Sequence, residues 1–297
     1  MSPAVLSRRL SASLIVLIYE EDPVADAVAR AWGTLPATGA HVGGAPIRRL
    51  NDSVLVLRRS GVHIHDDEVD RRLPPDVLAE RPTLVFPSIH RSELNVASLT
   101  VHPIGNLGPS TDLGGRPRYL VPADPRRMVT ALRLLHEGAA RLGLPATYEA
   151  THHGPVVEAP AMFIEVGSGA DRAPAQDAIR VLADAIPRIS ESTGDHVALA
   201  VGGGHYVPHF TDLALRRSWA FGHLISRHAL EQLDRDTAAR AYALSPGADG
   251  ILFSRAQDAQ HPALAGLGPR LRDRDAPERK VADGGVTANA SRSASGT

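Results

Sequence analysis

Fourteen histidines stand in 297 residues, and there is no cysteine. A metal would have to be held by imidazole or carboxylate, and neither a disulfide nor a thiolate nucleophile is available. Where the histidines fall matters more than their number. His90 follows the apolar run PTLVFPS, His102 follows ASLTV, His152 and His153 follow ATYEAT, and His205 follows ALAVGGG. Four strand-like runs thus end in or beside an imidazole, a group that binds metals and exchanges protons near neutral pH. One such histidine is ordinarily a loop residue or a satisfied, partly buried group. Four in equivalent places point to a common site. In an extended chain, successive residues point to opposite faces. One of His152 and His153 would then meet a substrate or metal while the other supports it, and Gly154-Pro155 would turn the chain away. Glu165 lies between Ile164 and Val166. It sits either on a solvated strand face or in the interior, where a carboxylate needs a cation, a metal or several donors.

Other stretches could serve the same site. GGGHY (202–206) puts Gly202, Gly203 and Gly204 before His205 and Tyr206. Glycines let backbone approach a ligand and offer amides to an anion, although a plain strand-to-helix turn has the same composition. VHPIGNLG (101–108) is a second glycine-rich turn, with Asn106 as an amide donor, and HRSE (90–93) sets Arg91 beside His90. VHIHD (62–66) reads as a short strand with His63 and His65 on one face, and is taken as a surface feature. The chain has no phosphate-loop signature and no Gly-x-Ser-x-Gly elbow, which excludes a serine hydrolase of that type.

The elements that must position these groups alternate in kind. LIVLIY (14–19) reads as a first strand, too short to span a membrane and closed at once by Glu20, Glu21 and Asp22. SVLVLRR, PTLVFPS, AMFIEVG, HVALAV and ADGILFS read as further strands, and 125–143, 174–190 and 218–233 as helices. Strands alternating with helices predict an α/β fold with a largely parallel, mixed central sheet flanked by helices. The ligand crevice then lies beyond the carboxyl ends of the strands. Residues 1–269 are expected to form one domain. Residues 270–297 are charged and then rich in Gly, Ser and Ala, and are expected to be a disordered tail.

Hydrophobic residues make up 43% and charged residues 22%, with a net charge of -1. This is ordinary for a globular protein, and any nucleic-acid contact must rest on a local patch. Arg91, Arg116, Arg118, Arg126 and Arg127 are the candidates. Nothing marks a membrane segment or an obligate protein partner, and the oligomeric state is not readable.

Four stretches, in this order, carry a resemblance: HRSELNVASLTVHPIGNLG, EATHHGPVVEAPAMFIEVGS, GGGHYVPHFTDLAL and FGHLISRHAL. Together they resemble the D-aminoacyl-tRNA deacylases of the archaeal and plant type, densely over 82–115 and 147–230. The resemblance implies an α/β fold related to peptidyl-tRNA hydrolases and nucleoside phosphorylases, dependence on zinc, and a cytoplasmic enzyme. It also implies the reaction, which cleaves the ester between a D-amino acid and tRNA. Two departures each remove a positive charge: PSIHRSE replaces a more basic run, and His209 stands where arginine or lysine is commoner. Individual roles rest on chemistry alone. His152 and Glu165 are the catalytic candidates, and His102, His153 and His205 the zinc ligands. Arg91, Asn106, Gly202, Gly203, Gly204 and Tyr206 are the candidates for binding substrate. A general-base mechanism with an incidental metal is the alternative. A nucleoside phosphorylase- or hydrolase-like enzyme and a non-catalytic tRNA-binding protein are the rival functions.

Overall fold

The computed structural model describes residues 10–91, 97–168, 175–192 and 194–279; the side chains of Arg91 and Ser168 are outside the description. The chain opens with β1 (Leu14–Tyr19), buried at every position, and α1 (Pro23–Ala31). Asp22 caps α1 through Oδ1, which accepts from the Val24 and Ala25 amides, and Pro23 supplies a first residue that needs no donor partner. A hairpin of β2 (Ala37–Val42) and β3 (Ala45–Arg49) follows, then β4 (Val54–Arg59) and the short α2 (Pro75–Ala79). Next come β5 (Thr83–Arg91), β6 (Ser98–Pro103), α3 (Pro125–Ala140), β7 (Ala146–Tyr148), β8 (Ala161–Ser168) and α4 (Gln176–Ala185). The rest comprises β9 (His196–Val201), α5 (Pro208–Arg216), β10 (Trp219–Ile225), α6 (Arg227–Leu230), α7 (Arg235–Ala243), β11 (Ala248–Phe253) and β12 (Arg270–Leu271).

Eight strands form one sheet in the order β2-β3-β4-β1-β5-β8-β6-β7. The central β4, β1, β5 and β8 are parallel; β3 runs against both of its neighbours, and β6 runs against β8 but parallel to β7. The expected mixed, largely parallel α/β sheet is therefore present. One face packs Val16, Val85 and Ile164 against α1, α3 and α4, with Val28, Leu132 and Leu182 from the helices. The opposite face presents Leu17, Tyr19, Phe86 and Phe163 to loop residues such as Val69, Val121 and Val157. A second sheet, β10-β9-β11-β12, is parallel throughout. It is tied to the first where Ala150 N donates to His205 O and Thr151 N to Leu224 O, both at 2.8 Å.

Three expectations need correction. The segment expected as a helix over 218–233 holds a strand instead: Trp219–Ile225 is β10, buried at all seven positions, and α6 holds only four residues. An unbroken apolar run fits a buried strand as well as a helix. Gly222 also brings the backbone against Ser245, where a Cβ would meet Oγ at 2.2 Å. The boundary at 270 falls inside ordered structure. β12 pairs with β11, Trp219 Nε1 donates to Asp273 O at 2.9 Å, and Ala276 is fully buried. Of the proposed tail, only 280–297 lies outside the described residues. Finally, His63–His65 is a single 3-10 turn rather than a strand.

Candidate active site

Side chains of β5, β8 and β6 that share one face of the large sheet build the floor of the site. In register, Ser88 lies beside Glu165, His90 beside Gly167, and His102 beside Phe163. Because β6 runs antiparallel, His102 meets β8 near its middle. The floor of the cluster therefore lies on the sheet face, from Phe163 in β8 to His90 near the carboxyl end of β5, while His152, His153 and His205 reach it from beyond the carboxyl ends of β7 and β9. Phe163 stacks on His102 with centroids 5.1 Å apart and planes at 3°.

The paired histidines arrive from the segment after β7. His153 has φ of 45°, a left-handed conformation disfavoured for a side chain bearing Cβ. The pair is consequently not extended, and the two rings do not point to opposite faces. Both turn toward His102, with centroids at 4.1 Å for His152 and 5.0 Å for His153, and they lie 4.4 Å from each other. In all three rings Nδ1 faces a backbone carbonyl: Pro103 O for His102 at 3.2 Å, Ala150 O for His152 at 2.8 Å and Gly154 O for His153 at 2.6 Å. A carbonyl only accepts, so each Nδ1 carries a proton; Nε2 of His152 and of His153 then presents a lone pair, while His102 Nε2 faces the Glu165 carboxylate.

Two buried carboxylates complete the cluster. Glu165 is 3% exposed; its Oε1 accepts from Ser88 Oγ at 2.5 Å, and Oε2 lies 3.3 Å from His90 Nδ1 and 3.6 Å from His102 Nε2. Burial alone would raise this carboxyl, but the facing His102 and His90 hold it well below the usual range. Glu149 is fully buried, and neither of its oxygens has a hydrogen-bond partner among the described residues. His90 Nδ1, His205 Nε2 and His152 Nε2 surround it at 3.5, 3.2 and 3.7 Å. Burial opposes charge on His90, yet the hydrogen bond to Glu165 and the field of Glu149 raise it above an ordinary imidazole. His152 and His153 are displaced the other way, mainly by burial and then by neighbouring imidazoles, His153 to about 3.

Ligand atoms of His102, His152 and His153 lie within 4.8 Å of one another, as do those of His90, Glu149 and His205, and those of His102, Glu149 and Glu165. The structure thus brings the expected histidines together but divides them differently. His102 and His153 group with His152, while His205 groups with His90 and Glu149. Lone pairs and carboxylate oxygens converging without donors repel one another unless a cation lies between them. The donor set fits a borderline-soft ion such as zinc, with imidazole nitrogens anchored through Nδ1–H to carbonyls.

The remaining candidates fare unequally. Tyr206 donates its hydroxyl toward His90 Nε2 at 3.2 Å and lies beside His205, whose side chain is 45% exposed at the mouth. Asn106 is engaged internally: its Nδ2 donates to Gly114 O at 2.9 Å and Arg116 O at 3.2 Å, pinning the 106–116 loop. The Gly202 amide donates to Ile225 O at 2.8 Å, and a Cβ there would meet Ser254 Oγ at 2.0 Å, so this glycine serves packing. Gly203 accepts from Arg227 N at 3.0 Å, whereas the amides of Gly203 and Gly204 have no acceptor among the described residues. Arg91 ends β5, with its side chain outside the description. Arg126 and Arg127 are at the start of α3, near Thr83 at the amino end of β5 and remote from the cluster. Arg116 and Arg118 pair with Glu68 and Asp234 at 3.1 and 3.0 Å.

Sequence reasoning missed Glu149, which shares one short stretch with the paired histidines but is flanked by Tyr148 and Ala150 like any strand residue. It also misjudged His63, which is no surface group: its ring packs between Tyr19 and Phe163.

A family model described as D-aminoacyl-tRNA deacylase matches residues 79–266. The D-aminoacyl-tRNA deacylase of Thermoplasma acidophilum is 37% identical over 176 residues, 58% of this chain and 67% of that protein. That of Pyrococcus furiosus is 33% identical over 196 residues, 65% of this chain and 72% of that protein. In backbone, the chain is similar to the crystal structure of a conserved protein of unknown function, with a TM-score of 0.78 and 26% identity over 92% of this chain and 100% of that one.

Proposed function

This chain belongs to the D-aminoacyl-tRNA deacylase family, and we propose that it hydrolyses the ester joining a D-amino acid to the 3′ end of tRNA with the histidine–glutamate cluster as its zinc-dependent centre. The family match carries the substrate class and the reaction. One structural observation supports the zinc centre: the Nε2 atoms of His102, His152 and His153, each ring anchored through Nδ1 to a carbonyl, converge beside Glu165 and beside Glu149, whose two buried oxygens have no hydrogen-bond partner among the described residues.

His102, His152 and His153 would hold zinc through Nε2, and His90, Glu149 and His205 are a second donor group beside them. Zinc, when bound, acts as a Lewis acid on a carbonyl and lowers the pKa of bound water. Glu165 serves by orientation: held by Ser88, it fixes His90 and His102. His152, expected as a catalytic group, is better read as one of the metal holders. The half-exposed His205, with Tyr206, is the point at which the aminoacyl end enters. We place the reaction in the cytoplasm, where tRNA is charged; among the described residues, no helix is long and apolar enough to cross a membrane.

The test is deacylation of D-Tyr-tRNA and L-Tyr-tRNA by enzyme as purified, after chelation, and after zinc is restored. We expect the D-ester to be cleaved selectively, activity to vanish on chelation and zinc to recover it. Equal cleavage of both esters refutes the stereoselectivity. Full activity in enzyme stripped of metal refutes the zinc centre.

A further inference from the structure

Asp22 and His63 lie outside the matched residues 79–266, yet they meet the strands that floor the site, at Ile89 and Phe163. A row of rings crosses the site face of the sheet: Tyr19 to Phe86 at 6.3 Å, Phe86 to Phe163 at 4.9 Å and Phe163 to His102 at 5.1 Å. Two imidazoles stand on Phe163, His153 at 4.7 Å and His63 at 5.3 Å. The His63 side chain is 17% exposed, and its Nδ1 is 3.9 Å from Asp22 Oδ2. Asp22 is fixed rigidly. Oδ1 caps α1, and Oδ2 accepts from Ile89 N at 3.0 Å, one residue before His90. Among the described residues, His63 Nε2 has no hydrogen-bond partner. A carboxylate standing behind Nδ1, beyond hydrogen-bond distance, with Nε2 left free, is the arrangement of a general base that closes onto its partner when substrate binds, and such contacts are commonly long before then.

We propose that His63, oriented by Asp22, is a further catalytic residue of this enzyme, the group that takes the proton from the attacking water. The inference rests on the deacylase reading. As the water oxygen bonds to the ester carbonyl carbon, its proton passes to His63 Nε2, and the imidazolium is stabilised by Asp22. The bond from that carbon to the ribose oxygen then breaks with its electron pair on oxygen, which receives the proton from His63. Free D-amino acid and a tRNA hydroxyl result, and His63 returns neutral. Burial lowers the pKa of His63, against the opposing fields of Asp22 and Glu165. The other charged or titratable groups facing it are His102, His65 on its own turn, His153 across Phe163 and the phenol of Tyr19.

The experiment compares wild type, His63→Ala, His63→Gln and Asp22→Asn on D-Tyr-tRNA, with bound zinc and Tm measured for each. The expected result for both His63 variants is a kcat lower by about a hundredfold, within the range for a lost general base, with KM and zinc content unchanged and the fold retained at the assay temperature. Imidazole added to the buffer should restore His63→Ala. Asp22→Asn keeps the Oδ1 helix cap, gives up the acceptor for Ile89 N, and should lose about tenfold, the scale for a group that orients another. A His63→Gln enzyme within about twofold of wild-type kcat overturns the proposal, because removing a general base costs far more. So does a loss in His63→Ala that imidazole does not restore. A wild-type enzyme inert toward D-Tyr-tRNA instead refutes the deacylase reading, and this inference with it.

Discussion

Glu149 is the residue whose environment is hardest to account for without a bound cation. Both of its oxygens are buried without donors, and three imidazole nitrogens stand around it. Glu149→Gln removes the charge while keeping the shape. It should lower deacylation by roughly a hundredfold and reduce retained zinc, the usual cost at a metal ligand or its immediate support. The metal-free protein should not lose Tm, because the substitution relieves an unpaired buried charge; a large drop in Tm would show that Glu149 is held by protein contacts alone. His223 makes a different prediction. It is fully buried, its Nδ1 is 3.1 Å from Thr151 Oγ1, and burial pushes it down to about 4. In the unfolded chain it takes a proton near the ordinary value, about 6.5. Its contribution is therefore complete above that pH and is lost as pH falls toward 4. Between pH 7 and 5 wild type should lose about 2 kcal/mol more than His223→Gln, at roughly 1.4 kcal/mol per pH unit for one proton. Denaturant melts of the metal-free proteins at both values check it, and equal losses would show that His223 titrates normally.

At the scale of elements, β12 and the turn after it behave as part of the second sheet. A chain ended at Pro269 loses the pairing of Ile251 with Arg270, the acceptor of Trp219 Nε1 and the buried Ala276. Those losses amount to about 2 kcal/mol or more, enough to lower Tm by about 5 °C in a chain of this size. Scanning calorimetry of chains ended at 269 and 279 tests this, and equal Tm values would show that β12 adds nothing. The same elements mark what sequence can and cannot reveal. β1, β5, β8 and β9 were legible because each is a short apolar run bounded by polar or turn residues. β10 was not, because WAFGHLI satisfies helical spacing and continuous burial alike. The histidines were legible as a set, since each follows an apolar run. The grouping was hidden in two long-range facts, the antiparallel course of β6 and the left-handed φ of His153. Without them neither His152 nor Glu149 could be assigned a neighbour, and His63 looked like surface.

For the whole molecule, the question is how a chain of net charge -1 holds a polyanion. Of the arginines expected to serve, Arg126 bonds Ser192 O and Asp195 O, and Arg127 pairs with Asp124 and Glu191, away from the site. Arg116 and Arg118 are nearer but are matched by Glu68 and Asp234. His209, where a cation is commoner, lies 3.3 Å from Asp273. A guanidinium already paired must release its carboxylate before it can take a phosphate, so it contributes less than a free one. Phosphate contacts should therefore be few, and affinity should come mainly from the ester end at the cluster. Each contact to single-stranded nucleic acid contributes about -0.7 to the slope of log affinity against log salt. With about three or fewer contacts, the slope should be no steeper than roughly -2. Titration of tRNA binding from low to moderate salt measures it directly. A slope near -5 or beyond would mean that the paired arginines reorganise onto the backbone, and that the aminoacyl end does not dominate recognition.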